Sequence, residues 1–241
     1  MKAGKVRLYV DHALGEGQSV PLSRDQGHYL ASVMRLGDGD AVTVFNGRDG
    51  AWRAVLGDVS RKGGVAVCDV QTAPQLDPPD LWLMFAPLKK AQTEYVVQKA
   101  VEMGARRIVP VVTAFTNSER FNAARAAAHV VEAAEQCGAT YVPEVAELAR
   151  LDAILDVWPA GRRLMFCDEA RAGEAAATPE DGGPWAVLIG PEGGFSEIER
   201  ARLGGMGYVM SLGPRILRAE TASVAAMALW QAALGDWRGR G

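Results

Sequence analysis

Two stretches of this chain combine residue types at a spacing suited to ligand chemistry. They are Leu188-Ile189-Gly190-Pro191-Glu192-Gly193-Gly194-Phe195-Ser196-Glu197-Ile198-Glu199 and Leu212-Gly213-Pro214-Arg215-Ile216-Leu217-Arg218-Ala219-Glu220-Thr221-Ala222. Each reads as a buried strand, a Gly/Pro turn and a helix. That order sets two backbone-rich loops side by side at the carboxyl ends of neighbouring parallel strands, where open α/β sheets bind ligands. Gly190, Gly193 and Gly194 carry no Cβ, so the main chain there can approach a ligand closely or take positive φ. Ser196 and Glu199 have the spacing of a capping box that opens the next helix. Taken singly, either loop reads equally well as a tight connection in any α/β domain; the pair is far more specific.

The ligand class follows from what the loops contain and lack. Their glycines do not match the dinucleotide fingerprint, and no Gly-x-x-x-x-Gly-Lys-Ser/Thr run exists to cradle a triphosphate. A loop that keeps Glu192 and has no lysine suits a neutral or cationic nucleoside better than an anion, and S-adenosylmethionine, with its sulfonium, fits. Recognition of such a cofactor is expected mainly from main-chain groups of Gly190, Pro191, Glu192, Gly193 and Gly194 and of Leu212, Gly213, Ile216 and Leu217, with Thr221 beyond them, in a mostly apolar pocket. The strand end Phe166-Cys167-Asp168-Glu169 is expected to form a third wall. Asp168 or Glu169 there reads either as a partner for ribose hydroxyls or as an exposed loop carboxylate.

Other chemistry is poorly served. His12, His28 and His129 show no metal-ligand spacing, and there is no Gly-x-Ser-x-Gly elbow, so no metal is expected. Cys68, Cys137 and Cys167 are odd in number and widely spaced, which points to reduced thiols rather than a disulfide framework or a zinc site. No apolar run reaches the length of a membrane span and the start lacks a secretory hydrophobic segment, so a cytoplasmic protein with no membrane partner is expected.

The elements that must position the loops can be read around them. A chain of 241 residues, about half apolar, has room for one large or two modest domains. The Pro-rich stretch 73–80 reads as a linker. Before it, in residues 1–72, the β-rich runs Ala41 to Phe45, Ala51 to Leu56 and Gly64 to Val70 are separated by turn residues, which suggests a small β-barrel. After it, in residues 81–241, strands and helices alternate in βαβ fashion: strand Leu81 to Ala86, helix Ala91 to Met103 stopped by Gly104, strand Arg107 to Val112, a helix from about Asn122 to Gly138, strand Leu164 to Cys167, the two motif units, and a last helix from about Thr221 to Leu234. The apolar stripe of that helix, Val224, Met227, Ala228 and Trp230, reads as core or as an interface, with core favoured. The net charge of −3 argues mildly against nonspecific nucleic-acid binding. Residues 1–72 nonetheless hold nine Lys/Arg against eight Asp/Glu, and the remainder seventeen against twenty-one, so local basic patches are allowed.

The two loops together resemble those of SPOUT-superfamily methyltransferases, and the chain closely resembles the RsmE family of 16S ribosomal RNA uridine-N3 methyltransferases. The resemblance extends through Arg7-Leu8-Tyr9-Val10, His28 to Leu36, Gln98 to Gly104, Thr116-Asn117-Ser118-Glu119-Arg120 and Ala134-Glu135-Gln136-Cys137-Gly138. One departure stands out: Ala139 occupies a place where the family usually has arginine. The resemblance implies an α/β fold in which a trefoil-knotted parallel sheet, with helices on both faces, follows a PUA-like RNA-binding barrel. Ordinary topology rules would give an unknotted sheet instead. It also implies a homodimer and an assembled 30S particle as substrate.

Methyl transfer to uracil N3 needs a proton removed and negative charge stabilised. Arg218 and Glu220 are the nearest candidates, Arg218 for the uracilate or a phosphate, Glu220 as base or as the group that orients Arg218. A plain loop-pinning ion pair is the other reading. For RNA, Arg7, Arg24, Arg35, Lys89, Lys90, Arg120 and Arg125 are candidate phosphate contacts, with Tyr9, His28 and Tyr29 as stacking partners. Two rivals stay open: the same chemistry on transfer RNA or another ribosomal site, and a noncatalytic RNA-binding assembly factor.

Overall fold

The computed structural model describes residues 4–118, 120–168, 179–180 and 182–238. The chain divides into two compact units: residues 1–77 with 134–142, and residues 78–133 with 143–241.

The first unit is a five-stranded sheet made of β1 (Arg7–Tyr9), β2 (Ser19–Leu22), β3 (Ala41–Phe45), β4 (Ala51–Ser60) and β5 (Gly63–Ala73), in the order β1-β3-β4-β5-β2. The β1–β3 pair is parallel and the other pairs are antiparallel. Val20, Leu30, Val42, Val44, Ala54 and Leu56 form its core. The Asn46-Gly47 turn holds because the Asn46 side-chain carbonyl accepts from the Arg48 and Asp49 amides at 3.0 and 2.8 Å, a local alternative to strand pairing. Between β2 and β3 lies α1 (Arg24–His28), capped by Ser23 and Gln26 and continued by one π-helical turn, Tyr29–Val33. Arg35 follows at φ 56°, a conformation costly for a residue with a Cβ.

Residues 134–142 are tied into this unit by long-range bonds. Glu135 accepts from the Tyr9 amide at 2.8 Å, the Arg7 guanidinium donates to the Ala139 carbonyl at 2.7 Å, and the Leu76 amide donates to Thr140 Oγ1 at 3.0 Å.

The second unit contains β6 (Leu81–Phe85), α2 (Lys90–Glu102), β7 (Arg107–Val112), α3 (Ala123–Cys137, its last turn counted with the first unit), β8 (Glu144–Val145), β9 (Ala149–Arg150), α4 (Leu151–Asp156), β10 (Arg163–Cys167), β11 (Trp185–Ile189), α5 (Glu197–Met206), β12 (Tyr208–Met210) and α6 (Ala219–Leu234). Its strands are all parallel, in the order β12-β10-β11-β6-β7-β8, with β9 also on β7. Every residue of the central β11 is buried, as a strand covered on both faces requires.

The order places β11 between β10 and β6, so the chain leaves the middle of the sheet through α5, reaches the outer β12, and returns through residues 211–218 to α6, which packs on α2, β6 and β11. Met227 and Trp230 are buried within the chain's own core, each contributing about 1.5–3 kcal/mol of burial, whereas Val224 and Ala228 lie half-buried beside them. The fully buried Gln231 donates to the Met103 carbonyl at 2.7 Å and accepts from the Asp236 amide at 3.1 Å. It fastens the end of α2 to α6, beside Gly104 at φ 72°.

Candidate active site

The carboxyl ends of β10, β11 and β12 converge on a cavity of about 260 Å³, near the lower end of the range of about 300–1,000 Å³ typical of ligand sites. Cys167 and Asp168 come from the end of β10, Ile189 to Glu192 and Gly194 from the β11 loop, and Met210, Leu212 and Gly213 from β12 and its loop. Arg215, Ile216, Leu217, Arg218, Ala219 and Ala222 close the wall up to the first turn of α6. The two Gly/Pro loops therefore share one cavity.

The glycine-rich loop is shaped by three different demands. Gly194 stands at φ 67° and alone among its three glycines takes a positive φ. A Cβ on Gly190 would meet the Phe195 ring at 3.1 Å, and one on Gly193 would meet Phe115 Cβ at 3.0 Å. So the expectation of positive φ holds at one position, and at the other two the missing Cβ makes room for aromatic neighbours.

The loop is braced by the Ser196–Glu199 capping box that its spacing predicts. Ser196 Oγ accepts from the Glu199 amide at 3.3 Å, and Glu199 Oε2 accepts from the Ser196 amide at 2.9 Å. Glu199, 8% exposed, uses its other oxygen to accept from the Ala114 amide at 2.8 Å. The loop after β7 is thereby tied to the glycine-rich loop.

Of the expected cofactor residues, Cys167, Gly190, Pro191, Glu192, Gly194, Leu212, Gly213, Ile216 and Leu217 line the cavity. Three do not. Phe166 is buried in the core, edge-on to Phe195 with ring centroids 6.0 Å apart, because successive strand residues point to opposite faces. Gly193 faces Phe115. Thr221 is exposed on α6. Arg218, exposed at the N-cap of α6, lines the cavity, but Glu220 does not. Positions 218, 219 and 222 lie on one side of the first helical turn, and 220 and 221 are rotated away at about 100° per residue. The structure forms no ion pair between Arg218 and Glu220 among the described residues, so the expected orienting contact is absent from the protein's own packing.

Asp168 is buried in the wall and engaged by Arg200, whose Nε lies 3.2 Å from both carboxylate oxygens. Glu169 lies outside the described residues. Cys167 is half-buried at the cavity, but protein packed around it pushes its thiol up to about 12 by desolvation. Sequence reasoning named the segment Leu212 to Leu217 without singling out Arg215, and missed Ile189, Met210, Ala219 and Ala222. Ile189 and Met210 are the last residues of buried strands and Arg215 stands inside the second motif, so strand ends and motif boundaries were the available signals.

The candidate RNA contacts fall in both units. His28 and Arg35 are exposed on the α1–π-turn segment, as are Lys89, Lys90, Arg120 and Arg125 in the second unit and Arg24 in the first. Arg7 is different. It is half-buried over the Phe45 ring at 4.8 Å and bonded to Ala139; burial lowers its guanidinium pKa, opposed by Cys137 and Glu135. Its first service is therefore inside the fold, on the carbonyl of Ala139. Tyr9 packs edge-on to Phe45, and Tyr29 packs on the core of the first unit.

Comparisons agree with this geometry. A family described as RNA methyltransferase domain matches residues 75–231, and one described as RNA methyltransferase PUA domain matches residues 22–67. The chain is 30% identical to a ribosomal RNA small subunit methyltransferase E from Synechocystis, over 87% of this chain and 72% of that protein. It is 29% identical to its namesake from Rickettsia conorii, over 92% and 93%. Among solved structures, a putative methyltransferase from Legionella pneumophila in complex with the bound cofactor SAM is 28% identical, with a TM-score of 0.87, covering 98% of this chain and 100% of that one. A ribosomal RNA small subunit methyltransferase E from Neisseria gonorrhoeae bound to S-adenosyl methionine is 29% identical, with a TM-score of 0.85, covering 96% and 99%.

Proposed function

This chain belongs to the ribosomal RNA small subunit methyltransferase E family, and from that premise we propose that it methylates N3 of one uridine in the 16S ribosomal RNA of the 30S subunit, using S-adenosylmethionine. The observation that carries the reading is the single cavity built from both Gly/Pro loops at the carboxyl ends of β10, β11 and β12. Its residues fit the cofactor. Main-chain groups of the two loops face the place of adenine, Asp168, held by Arg200, stands at the wall for a ribose hydroxyl, and the Glu192 carboxylate favours a cationic sulfonium. When bound, the cofactor supplies an electrophilic methyl group.

The chain's own part is to bind, orient and stabilise. Uracil N3 carries a proton at neutral pH, and the anion formed on its loss wants a nearby cation. Arg218 and Arg215 are the cations of the cavity wall, and in this reading Arg218 steadies the uracilate. In the same reading Glu220, half-buried in the first turn of α6, is assigned as the base. Arg218→Ala should lower turnover with little change in cofactor affinity, whereas Glu220→Gln should lower turnover in proportion to the fraction of proton removal it provides. Normal turnover in both removes them from the mechanism.

The same reading assigns residues 1–72 to RNA binding through a PUA-like barrel, 73–80 to a linker and 81–241 to a trefoil-knotted catalytic domain, in a cytoplasmic homodimer. Arg35 and Lys89 are the leading phosphate contacts, with His28, Lys90 and Arg120 beside them and Arg7 held by the fold. The deciding experiment is methyl transfer from labelled S-adenosylmethionine to unmodified 30S subunits, read by nucleoside mass spectrometry. A single N3-methyluridine is the expected product. Another methylated base would sink the substrate assignment, and absence of cofactor binding would favour a noncatalytic assembly factor.

A further inference from the structure

A second cavity, of about 450 Å³, lies over the carboxyl ends of β6 and β7 and belongs to no part of the site above. Leu88, Val97, Ala126 and the Phe121 ring give it an apolar floor. Phe121 is held edge-on to Phe85, the last residue of β6, with centroids 6.3 Å apart. Among the described residues, Lys90, Arg120 and Arg125 bring three cations to the cavity and Glu94 one carboxylate. Arg125 is ion-paired with that carboxylate at 2.8 Å and His129 Nε2 lies 3.6 Å from its Oε1, which is buried and makes no hydrogen bond, so Lys90 and Arg120 are the cations left to a phosphate. His129 Nε2 is buried and makes no hydrogen bond, while its Nδ1 faces Glu132 at 3.2 Å. Asn122 accepts from the Arg125 amide at 2.9 Å through its carbonyl, which leaves its amide protons to donate. An aromatic face over an apolar floor, unsatisfied polar edges and a cationic rim are what a base with its phosphate asks of a protein.

Position strengthens the case. Ile189 at the end of β11 pairs with Phe85 at the end of β6, so the two cavities open from adjacent strands along one edge of one sheet. The loop after β7 joins them: Ala114 is bonded to Glu199, and Phe115 fills the space beside Gly193. We propose that this cavity is a second nucleotide site, which takes one unpaired nucleotide of the RNA substrate outside the methylated position, its base against Phe121 and its phosphate between Lys90 and Arg120. The proposal rests on the RNA-methyltransferase reading for the identity of the strand, and on the cavity itself for its chemistry.

The test uses the full-length protein saturated with S-adenosylmethionine, titrated with 5′-UMP, uridine and inorganic phosphate, and followed by calorimetry and by the His129 imidazole resonances. UMP should bind more tightly than uridine or phosphate and should shift His129. Phe121→Ala should weaken UMP roughly 5- to 150-fold, the range expected for losing one base stack. Lys90→Glu with Arg120→Glu, both on the surface and harmless to packing, should abolish the preference for UMP over uridine. Phosphate binding as tightly as UMP, UMP binding that ignores all three substitutions, or no binding at millimolar UMP each overturns the proposal. The reaction is scored apart. A protein that binds UMP here but leaves 30S subunits unmethylated sinks the assigned activity and keeps the site. Unaltered RNA KM in the charge-reversed variant sinks the site and keeps the activity.

Discussion

Glu199 is where the fold and the candidate site depend most on one side chain. It is 8% exposed, and its carboxylate accepts from the Ala114 amide at 2.8 Å and from the Ser196 amide and hydroxyl, each at 2.9 Å. Substitution by glutamine keeps the shape and one acceptor but turns the other end into a donor that faces another donor. One N–H, of the exposed Ala114 or the half-buried Ser196, then loses its acceptor. Hydrogen bonds to charged groups are worth about 1.5–3 kcal/mol and water can reach the freed N–H, so Glu199→Gln should destabilise by about 1.5–3 kcal/mol. Glu199→Ala removes every acceptor and should cost about 3–5 kcal/mol. Chemical denaturation measures the loss, and calorimetry with S-adenosylmethionine measures its consequence for the glycine-rich loop. Cofactor affinity should fall in both variants, more in alanine. A change in stability below about 0.5 kcal/mol for alanine, within the range of surface substitutions, would refute the reasoning.

Three further outcomes are expected. Gly193→Ala places a Cβ 3.0 Å from Phe115 Cβ, so it should cost about 1–2 kcal/mol and weaken the cofactor, while a well-packed loop would show as an unchanged dissociation constant. Cys167, with its thiol at about 12, should react with iodoacetamide at pH 8 about a thousandfold more slowly than an ordinary thiol, as quantified by peptide mass spectrometry against exposed Cys137. Because that value is raised over the unfolded one, its contribution to stability is intact below about pH 8.5 and falls by about 1.4 kcal/mol per pH unit as pH rises toward 12, a slope that Cys167→Ala should remove from alkaline denaturation curves. Arg35→Gly relieves a left-handed φ of 56°, so its thermal midpoint should hold or rise while the salt slope of RNA binding falls by about one; a lowered midpoint with an unchanged slope would make Arg35 structural.

Much of the fold was legible because it is written in local terms. Gly104, at φ 72°, ends α2 where the sequence reads it as a stop, and α3 ends at Cys137, one residue before the Gly138 given as its approximate end. The apolar runs of β6, β7 and β10 stand out as buried strands within a residue or so of their observed ends, and the end of β11 at Ile189 is where the first motif turns. Short elements escaped. β8 and β9 have two residues each and α4 six, too few for a period to emerge, and they exist because neighbouring strands or helices are there to receive them. In the site, the motifs marked the right segments but not the right side chains. Phe166 beside Cys167, and Glu220 and Thr221 beside Ala219 and Ala222, differ only in which face of a strand or helix they occupy.

By itself, the sequence determined the two loops, the capping box at Ser196, the alternation of strand and helix, and a ligand without a triphosphate. These rest on backbone preferences and periodicities that act within a turn or two of chain. The tertiary structure alone decided that β11 lies between β10 and β6, that α6 returns to pack on α2, and that the second oxygen of Glu199 reaches Ala114, 85 residues away. It also gave Arg7 to the Ala139 carbonyl, 132 residues distant. Such pairings depend on which buried faces and unsatisfied groups meet once the chain has closed on itself, and no local preference of either partner specifies the other.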